Sequence, residues 1–118
     1  MLLHRAHHGP DYEGEWAWTP PSGARQPGED VREAALRELA EEAGPHIAAL
    51  GDLMSALPGG NGEWARFLLE VPWGTPVDLI DAEHDRWEWM TLEEALRRCR
   101  PDQVADTIRC ASTMPAAT

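Results

Sequence analysis

The sequence is short of cysteine and of long apolar runs, and each shortage excludes a class of protein. Its two cysteines, Cys99 and Cys110, cannot build a disulfide framework, and their separation fits no metal or redox motif. We therefore expect a reducing, cytoplasmic setting. No apolar run approaches the roughly 20 residues that a membrane-spanning helix needs, and residues 1–8 lack the apolar stretch of a signal peptide.

Positive charge is also scarce. Lysine and arginine number 10 against 21 aspartates and glutamates, so the net charge is −11. This excess repels phosphate backbones and anionic lipid surfaces, and it predicts that neither a nucleic acid polymer nor a membrane is a partner. A small phosphorylated ligand is still compatible, because a bound metal ion can invert the local field. The length suits one domain, expected at residues 1–113, with a disordered tail at 114–118.

Capping residues and apolar periodicity predict a mixture of helices and strands. Asp30 and Glu33 form a capping box before an apolar stripe, which predicts a helix at residues 31–43 that ends at Gly44 and Pro45. Alternation and apolar runs predict strands at Leu2–His8, Glu15–Trp18, Ile47–Leu57, Trp64–Val71 and Arg86–Met90. Two further helices are expected at Leu92–Cys99 and around Val104–Ala111. The pattern predicts an α+β fold with a helix against a mixed sheet.

The helix at residues 31–43 carries a cluster of negative charge. Glu38, Glu41 and Glu42 stand at i, i+3 and i+4, so they are neighbours on the helix surface. Like charges repel at those spacings, whereas a hard divalent cation takes oxygen ligands. Taken alone, these three residues are more typical of an ordinary solvated acidic face.

A longer pattern around the cluster favours the metal site. Residues 23–44 read Gly-x5-Glu-x7-Arg-Glu-Leu-x-Glu-Glu-x-Gly, which resembles the signature box of the Nudix hydrolases. The fixed positions are Gly23, Glu29, Arg37, Glu38, Glu41, Glu42 and Gly44. With each residue type near roughly 7% of a sequence, seven such matches arise by chance about once in 10^8 trials. The stretch Trp18-Thr19-Pro20-Pro21-Ser22 is similar to the family's lead-in, with serine where glycine is usual.

The resemblance implies a Nudix-like α/β/α sandwich with a mixed sheet and a catalytic loop–helix–loop. It also implies a hydrolase that uses Mg²⁺ or Mn²⁺ and activated water to cleave a phosphoric anhydride in a nucleoside diphosphate-linked substrate. A catalytically silent domain that senses or binds nucleotide is the alternative, and an acidic protein-interaction module is a third. Ser22, Pro45 and the expected absence of the family's first strand depart from the pattern. Either the fold tolerates losing that edge strand, or the true start of the chain lies upstream. An edge exposed by that absence would favour a homodimer.

By the same resemblance, four oxygen donors would hold the cation. They are the carboxylates of Glu38, Glu41 and Glu42 and the backbone carbonyl of Ser22. Glu38 is either a ligand or the base that orients the attacking water. Glu83 is the second candidate for that base, and Glu88 follows it.

The resemblance gives supporting roles to residues around the donors. Arg37 and Glu29 would orient the ligating carboxylates, and Gly23 would let the loop fold over the helix. Arg5 and Arg25 are candidates for contact with substrate phosphate, and Tyr12 and Trp16 for stacking on a base. Each of these is at least as readily explained as an ordinary surface side chain. No role is assigned to His84.

Overall fold

The computed structural model describes residues 1–51, 54–55 and 67–112. Within these ranges the elements follow in the order β1 (Leu2–Arg5), β2 (Trp18–Thr19), α1 (Val31–Ala43), α2 (Pro45–Ala48), β3 (Met54–Ser55), β4 (Phe67–Leu68), β5 (His84–Glu88), α3 (Leu92–Arg98) and α4 (Asp102–Ser112). The predicted tail at residues 114–118 lies outside the described residues. No helix in the described ranges is both long and apolar enough to span a bilayer.

Strand β1 lies in the middle of a three-stranded antiparallel sheet ordered β2-β1-β5. Leu3 pairs with Thr19 on one side and with Trp87 on the other, and the β1–β5 register shifts between His4 and Arg5. Strands β3 and β4 form a separate antiparallel pair. The α+β class is confirmed. The described ranges contain no parallel pair of the kind that the expected mixed sheet would include.

Two buried clusters, one on each face of β1, explain how the layers stack. Consecutive strand residues point to opposite faces of a sheet. Leu2 joins a cluster with Trp18 and residues of α3 and α4, whereas Leu3 joins a second cluster with Ala43 and Ile47 from the α1–α2 region. The sheet therefore lies between two helical layers, as an α/β/α sandwich requires.

Helix α1 is delimited by local chemistry at both ends, as the sequence predicts. The Asp30 side chain accepts hydrogen bonds from the backbone amides of Arg32 and Glu33. Such an N-cap is worth about 1 kcal/mol of stability. At the other end, Gly44 has φ +113°, a backbone conformation that L side chains rarely adopt, and its amide bonds to Ala40 O. The helix that carries the acidic cluster is thus fixed by its own sequence.

The first two predicted strands are longer than the observed ones. β1 ends at Arg5 instead of His8, because the chain turns there and the Gly9 amide bonds to Ala6 O. The predicted strand Glu15–Trp18 is wrong in position. Residues 15–17 form a turn in which Trp16 has φ 65°, and β2 covers only Trp18–Thr19.

The later strands are also shifted or shortened. The prediction of a strand at Ile47–Leu57 is wrong at its start. Pro45 begins the short helix α2, and Ile47 is the buried residue of that helix. Of that segment and of Trp64–Val71, residues 52–53, 56–57 and 64–66 lie outside the described ranges. Strand β5 begins two residues earlier than expected. The predicted helices near residues 92 and 104 are confirmed as α3 and α4.

Candidate functional site

Arg37 organises the more exposed side of the acidic helix. Its Nε and Nη2 donate to the two carboxylate oxygens of Glu29, at 2.8 and 3.0 Å. Its Nη1 donates to Glu38 at 3.0 Å and to Glu41 at 3.3 Å. Hydrogen bonding from Arg37, followed by that from the Gln26 amide, lowers the pKa of Glu29 to about 2. One guanidinium therefore holds three carboxyl groups in fixed orientations.

The loop before α1 lies directly against these carboxylates. A Cβ built on Gly23 would come within 2.0 Å of Glu38 Cδ and within 2.3 Å of both its oxygens. The Ala24 carbonyl accepts from Arg37 Nη2 at 3.1 Å, which holds the loop to the helix. Only glycine fits at position 23 while Glu38 keeps its observed position.

Glu42 has a different environment from its neighbour Glu41. Its side chain is buried and its oxygens accept from the Ser22 amide at 3.1 and 3.3 Å. Burial is the main cause that raises the pKa of Glu42 to about 8, the charges of Glu38 and Asp81 contribute to this rise, and the hydrogen bond from the Ser22 amide opposes it. A buried carboxylate beside like charges is stabilised in its ionised form by a cation.

Two side chains from another part of the chain meet Glu42. His84 Nε2 lies 3.9 Å from Glu42 Oε1, and His84 Nδ1 lies 3.3 Å from Asp81 Oδ1. One ligand atom from each of the three residues lies within 4.8 Å of the other two. Two carboxylates and an imidazole form a donor set that suits a divalent metal ion. The residues of the described ranges therefore fit such an ion at Glu42.

Sequence reasoning missed Asp81 and His84 as members of this group. They reach Glu42 through tertiary contacts, because β5 pairs with β1 and the Asp78 amide bonds to Ala43 O at the end of α1. No spacing in the sequence relates position 42 to position 84. The available signal was a histidine two residues before a predicted strand, in an acidic connection.

The remaining predicted site residues have partners of different kinds around the group formed by Glu42, Asp81 and His84. Glu83 is exposed immediately before β5, and its amide donates to Asp81 Oδ1 at 3.2 Å. Glu88 is instead paired with Arg98 at 3.1 Å. Arg5 pairs with His84 in the strand register and lies over the ring of Trp16, 5.9 Å from its centroid.

Two predicted site residues, Ser22 and Arg25, lie in the loop before α1. Arg25 is exposed, and its charge contributes to the lowered pKa of Glu29. Ser22 lies beside Glu42, where the observed contact is made by its backbone amide. The structure thus brings Ser22, Glu42, Asp81 and His84 together, and it gathers Glu38 and Glu41 around Arg37.

Known proteins of similar sequence test the resemblance of residues 23–44 to the Nudix box. An asymmetrical bis(5'-nucleosyl)-tetraphosphatase from Caenorhabditis elegans is 33% identical over 87 residues, which cover 68% of this chain and 62% of that protein. An RNA pyrophosphohydrolase from Erythrobacter litoralis is 32% identical over 108 residues, covering 72% and 65%. An octanoyltransferase from Myxococcus xanthus is 34% identical over 105 residues, covering 80% of this chain and 28% of that protein.

These matches span less than two thirds of the length of each of the three relatives. The family model described as the NUDIX domain matches residues 1–109, which include the whole box and the residues that gather at Glu42. The resemblance predicted from residues 23–44 is confirmed. The chain belongs to the NUDIX domain family.

Proposed function

We propose that this domain is a metal-dependent pyrophosphohydrolase that cleaves a phosphoric anhydride in a nucleotide-type substrate. The observation that carries the proposal is the intact box folded as one unit. Arg37 fixes Glu38 and Glu41 at 3.0 and 3.3 Å, while Glu42 lies buried beside His84. Membership of the NUDIX domain family supports it. So do two relatives that are named for cleavage of dinucleoside tetraphosphates and of RNA pyrophosphate.

The proposed cofactor is Mg²⁺ or Mn²⁺. Carboxylate and carbonyl oxygens suit both ions. When bound, the ion would polarise phosphate oxygens and lower the pKa of its bound water. The proposed donors are the side chains of Glu41 and Glu42 and the Ser22 carbonyl, with Asp81 and His84 completing the set at Glu42. Of the two roles open to Glu38, ligand or base, we propose the base.

The chain's own residues then position the substrate and take up the proton. Water attacks phosphorus, the bond from phosphorus to the bridging oxygen breaks, and the proton of the water passes to a carboxylate. We assign that proton to Glu38, whose Oε1 is fixed by Arg37. Glu83 is the second candidate because it immediately precedes His84 in the chain. Arg37 and Glu29 are positioning residues in this scheme.

The test is hydrolysis of a panel of dinucleoside polyphosphates, nucleoside diphosphate sugars and nucleoside triphosphates with Mg²⁺ or Mn²⁺. Glu41→Gln and Glu42→Gln should each lower kcat about 100-fold or more, the scale of losing one preorganised electrostatic group. Glu33→Gln is the matched control, since Glu33 is an exposed glutamate of the same helix. Circular dichroism should show the same fold in all four proteins.

Near-normal turnover in both glutamine variants would refute the assigned roles. Nucleotide binding by the wild-type protein without any released product would favour the silent nucleotide-sensing domain instead. An acidic interaction module would show no effect of Mg²⁺ on thermal stability, whereas an ion that binds only the folded state must raise it.

We further propose one domain over residues 1–113, a cytoplasmic setting and a homodimer. The two clusters that share β1 support a single cooperative unit, which a single unfolding transition would test. Two cysteines are too few for a disulfide framework, which supports the reducing compartment. In the described sheet, β5 has β1 on one side only, which supports edge pairing between copies. Light scattering would measure the mass of the particle.

A further inference from the structure

A cavity of about 170 Å³ lies at the end of β1 and is lined by Arg5, His7, His8, Tyr12, Glu15 and Trp16. We call it the ring cavity, because four of its six lining side chains carry planar rings. It also gathers an arginine and two imidazoles on a protein whose net charge is −11. None of its residues belongs to the group at Glu42, so the ring cavity is a separate feature of the surface.

Trp16 is held in this cavity by an unusual backbone. Its φ is 65°, in the left-handed region that a bulky side chain seldom adopts. Its amide donates to the Arg100 carbonyl at 2.6 Å, which keeps the turn in place. The indole is 39% exposed, and the Arg5 guanidinium lies 5.9 Å from a ring centroid. The unusual backbone of Trp16 thus presents an aromatic ring to solvent beside the Arg5 guanidinium. Such an arrangement favours a role in ligand binding.

The other rings are also preorganised. The rings of Tyr12 and His8 are 4.5 Å apart, and those of His8 and His7 are 4.6 Å apart. The Tyr12 hydroxyl donates to Glu15 O at 3.1 Å, which fixes the phenol. Gly14 makes room for it, since a Cβ there would lie 2.5 to 2.8 Å from the phenol atoms. The cavity thus contains aromatic faces whose positions are set before any ligand arrives.

Arg5 connects the ring cavity to the candidate metal group. In the β1–β5 register Arg5 lies opposite His84. Side chains directly opposite each other on paired strands lie on the same face of the sheet. Since His84 lies 3.9 Å from Glu42, a ligand that extends from the cavity past Arg5 would lead toward the acidic end of α1.

We propose that the ring cavity binds the nucleobase of the substrate by stacking on Trp16 and Tyr12, while Arg5 pairs with the adjacent phosphate. The inference rests on the proposed function, because it treats the ligand as that enzyme's substrate. A volume of about 170 Å³ suits one base, since pockets for whole drug-sized ligands have about 300–1,000 Å³. Every base has a π face, so stacking accepts different bases.

The first test measures binding without catalysis. Calorimetry in EDTA compares AMP with ribose 5-phosphate, which has the phosphate and sugar but no base. The wild-type protein should bind AMP at least about tenfold more tightly. Trp16→Ala should remove that advantage and leave ribose 5-phosphate binding unchanged, because only the stacking is lost. Trp16→Phe should retain most of it, and Arg5→Gln should weaken both ligands alike.

Two further variants control for folding and for loss of any tryptophan. Trp16→Gly removes the ring and tolerates the positive φ, so it should fold at least as well as the wild type and still lose the AMP preference. Trp73→Ala removes an indole that is 67% exposed and lines no part of the ring cavity, so it should bind as the wild type does. Equal binding of AMP and ribose 5-phosphate to the wild type, or an unchanged preference in Trp16→Gly, would overturn the inference.

Steady-state kinetics separates this inference from the proposed function. Trp16→Gly should raise KM for a nucleotide substrate about tenfold with kcat nearly unchanged, because stacking is the same in ground and transition states. Active enzyme with an unaltered KM in that variant would overturn the ring cavity as the base site and leave the proposed function intact. AMP binding that depends on Trp16, without hydrolysis of any nucleotide, would support the cavity and refute the proposed function.

Discussion

Glu41 and Glu42 are adjacent in sequence but belong to two different regions of the site. The Glu41 side chain is 56% exposed and takes a hydrogen bond from Arg37. The Glu42 side chain is 6% exposed and lies beside an imidazole and an aspartate. Successive helix positions point about 100° apart, so one residue faces solvent while the next faces the sheet. The box therefore builds a paired region around Arg37 and a buried region around Glu42.

The two regions treat negative charge in opposite ways. In the paired region the arginine lowers the pKa of Glu29 to about 2, which keeps that carboxylate ionised. In the buried region desolvation, together with the charges of Glu38 and Asp81, raises the pKa of Glu42 to about 8. The first arrangement holds carboxylates in position without further help. In the second arrangement, the ionised form of Glu42 is unfavourable until a cation binds beside it. A cation-binding site has this property.

The largest effect should come from crowding the paired region. Gly23→Ala places a methyl group 2.0 Å from the observed Glu38 Cδ, so the carboxylate must swing away. We expect kcat to fall about 100-fold, the scale associated with a 1 Å misplacement in an active site. The melting temperature should hardly change, because the group that moves is the end of a flexible side chain.

Gly51→Ala is the matched control for that substitution. A Cβ at Gly51 would meet its nearest atoms at 3.4 Å, an ordinary contact, and the residue has no positive φ. Its activity should equal that of the wild type. A fully active Gly23→Ala protein would show that the position of Glu38 does not matter for turnover.

A smaller effect should follow from weakening the clamp on Glu29. Arg37→Lys keeps the charge but loses the two-pronged contact with both oxygens of Glu29. We expect kcat/KM to fall about tenfold, as is usual when a residue that orients a ligand is changed. Arg97→Lys, at an exposed position of α3, is the control. Equal rates in the two variants would mean that the paired region is only structural.

A third effect, on stability instead of turnover, is a pH dependence that distinguishes the buried region from the paired one. Folding raises the pKa of Glu42 from 4.5 to about 8, so between these values the folded protein binds more protons than the unfolded chain. The free energy of unfolding in EDTA should therefore decrease as pH rises, by up to about 1.4 kcal/mol per pH unit from this group. Denaturant titrations at pH 5, 6, 7 and 8 would measure the slope.

Glutamine variants assign that slope to a residue. Glu42→Gln cannot titrate and should flatten the decrease, whereas Glu41→Gln should keep it. Mg²⁺ added at pH 8 should restore stability to the wild type, because a cation favours the ionised carboxylate. The same slope in both variants would contradict the contrast between Glu41 and Glu42.

The parts of the fold that could be predicted are those fixed by neighbouring residues. Asp30 and Gly44 delimit α1 through hydrogen bonds within a few positions, so its limits of 31 and 43 follow from the sequence. The turn at residues 15–17 was predicted as a strand, because Trp16 in an alternating stretch gives no sign of its positive φ. That conformation depends on the amide's bond to Arg100, 84 positions away.

The candidate site divides in the same way. Arg37 contacts Glu29, Glu38 and Glu41, which all lie within eight positions of it in the sequence. The sequence pattern of the box was therefore sufficient to predict the paired region. The buried region could not be predicted in this way, because it includes His84 and the box pattern ends at residue 44.

The sequence by itself determined the limits of helix α1 and the order of charges along it, because capping and i, i+4 spacing act over a few residues. Only the tertiary structure decided which of the adjacent glutamates is buried and which side chains meet it. The pairing of β1 with β5 brings His84 to the acidic helix, and pairing between strands some 80 positions apart depends on packing both faces of the sheet at once.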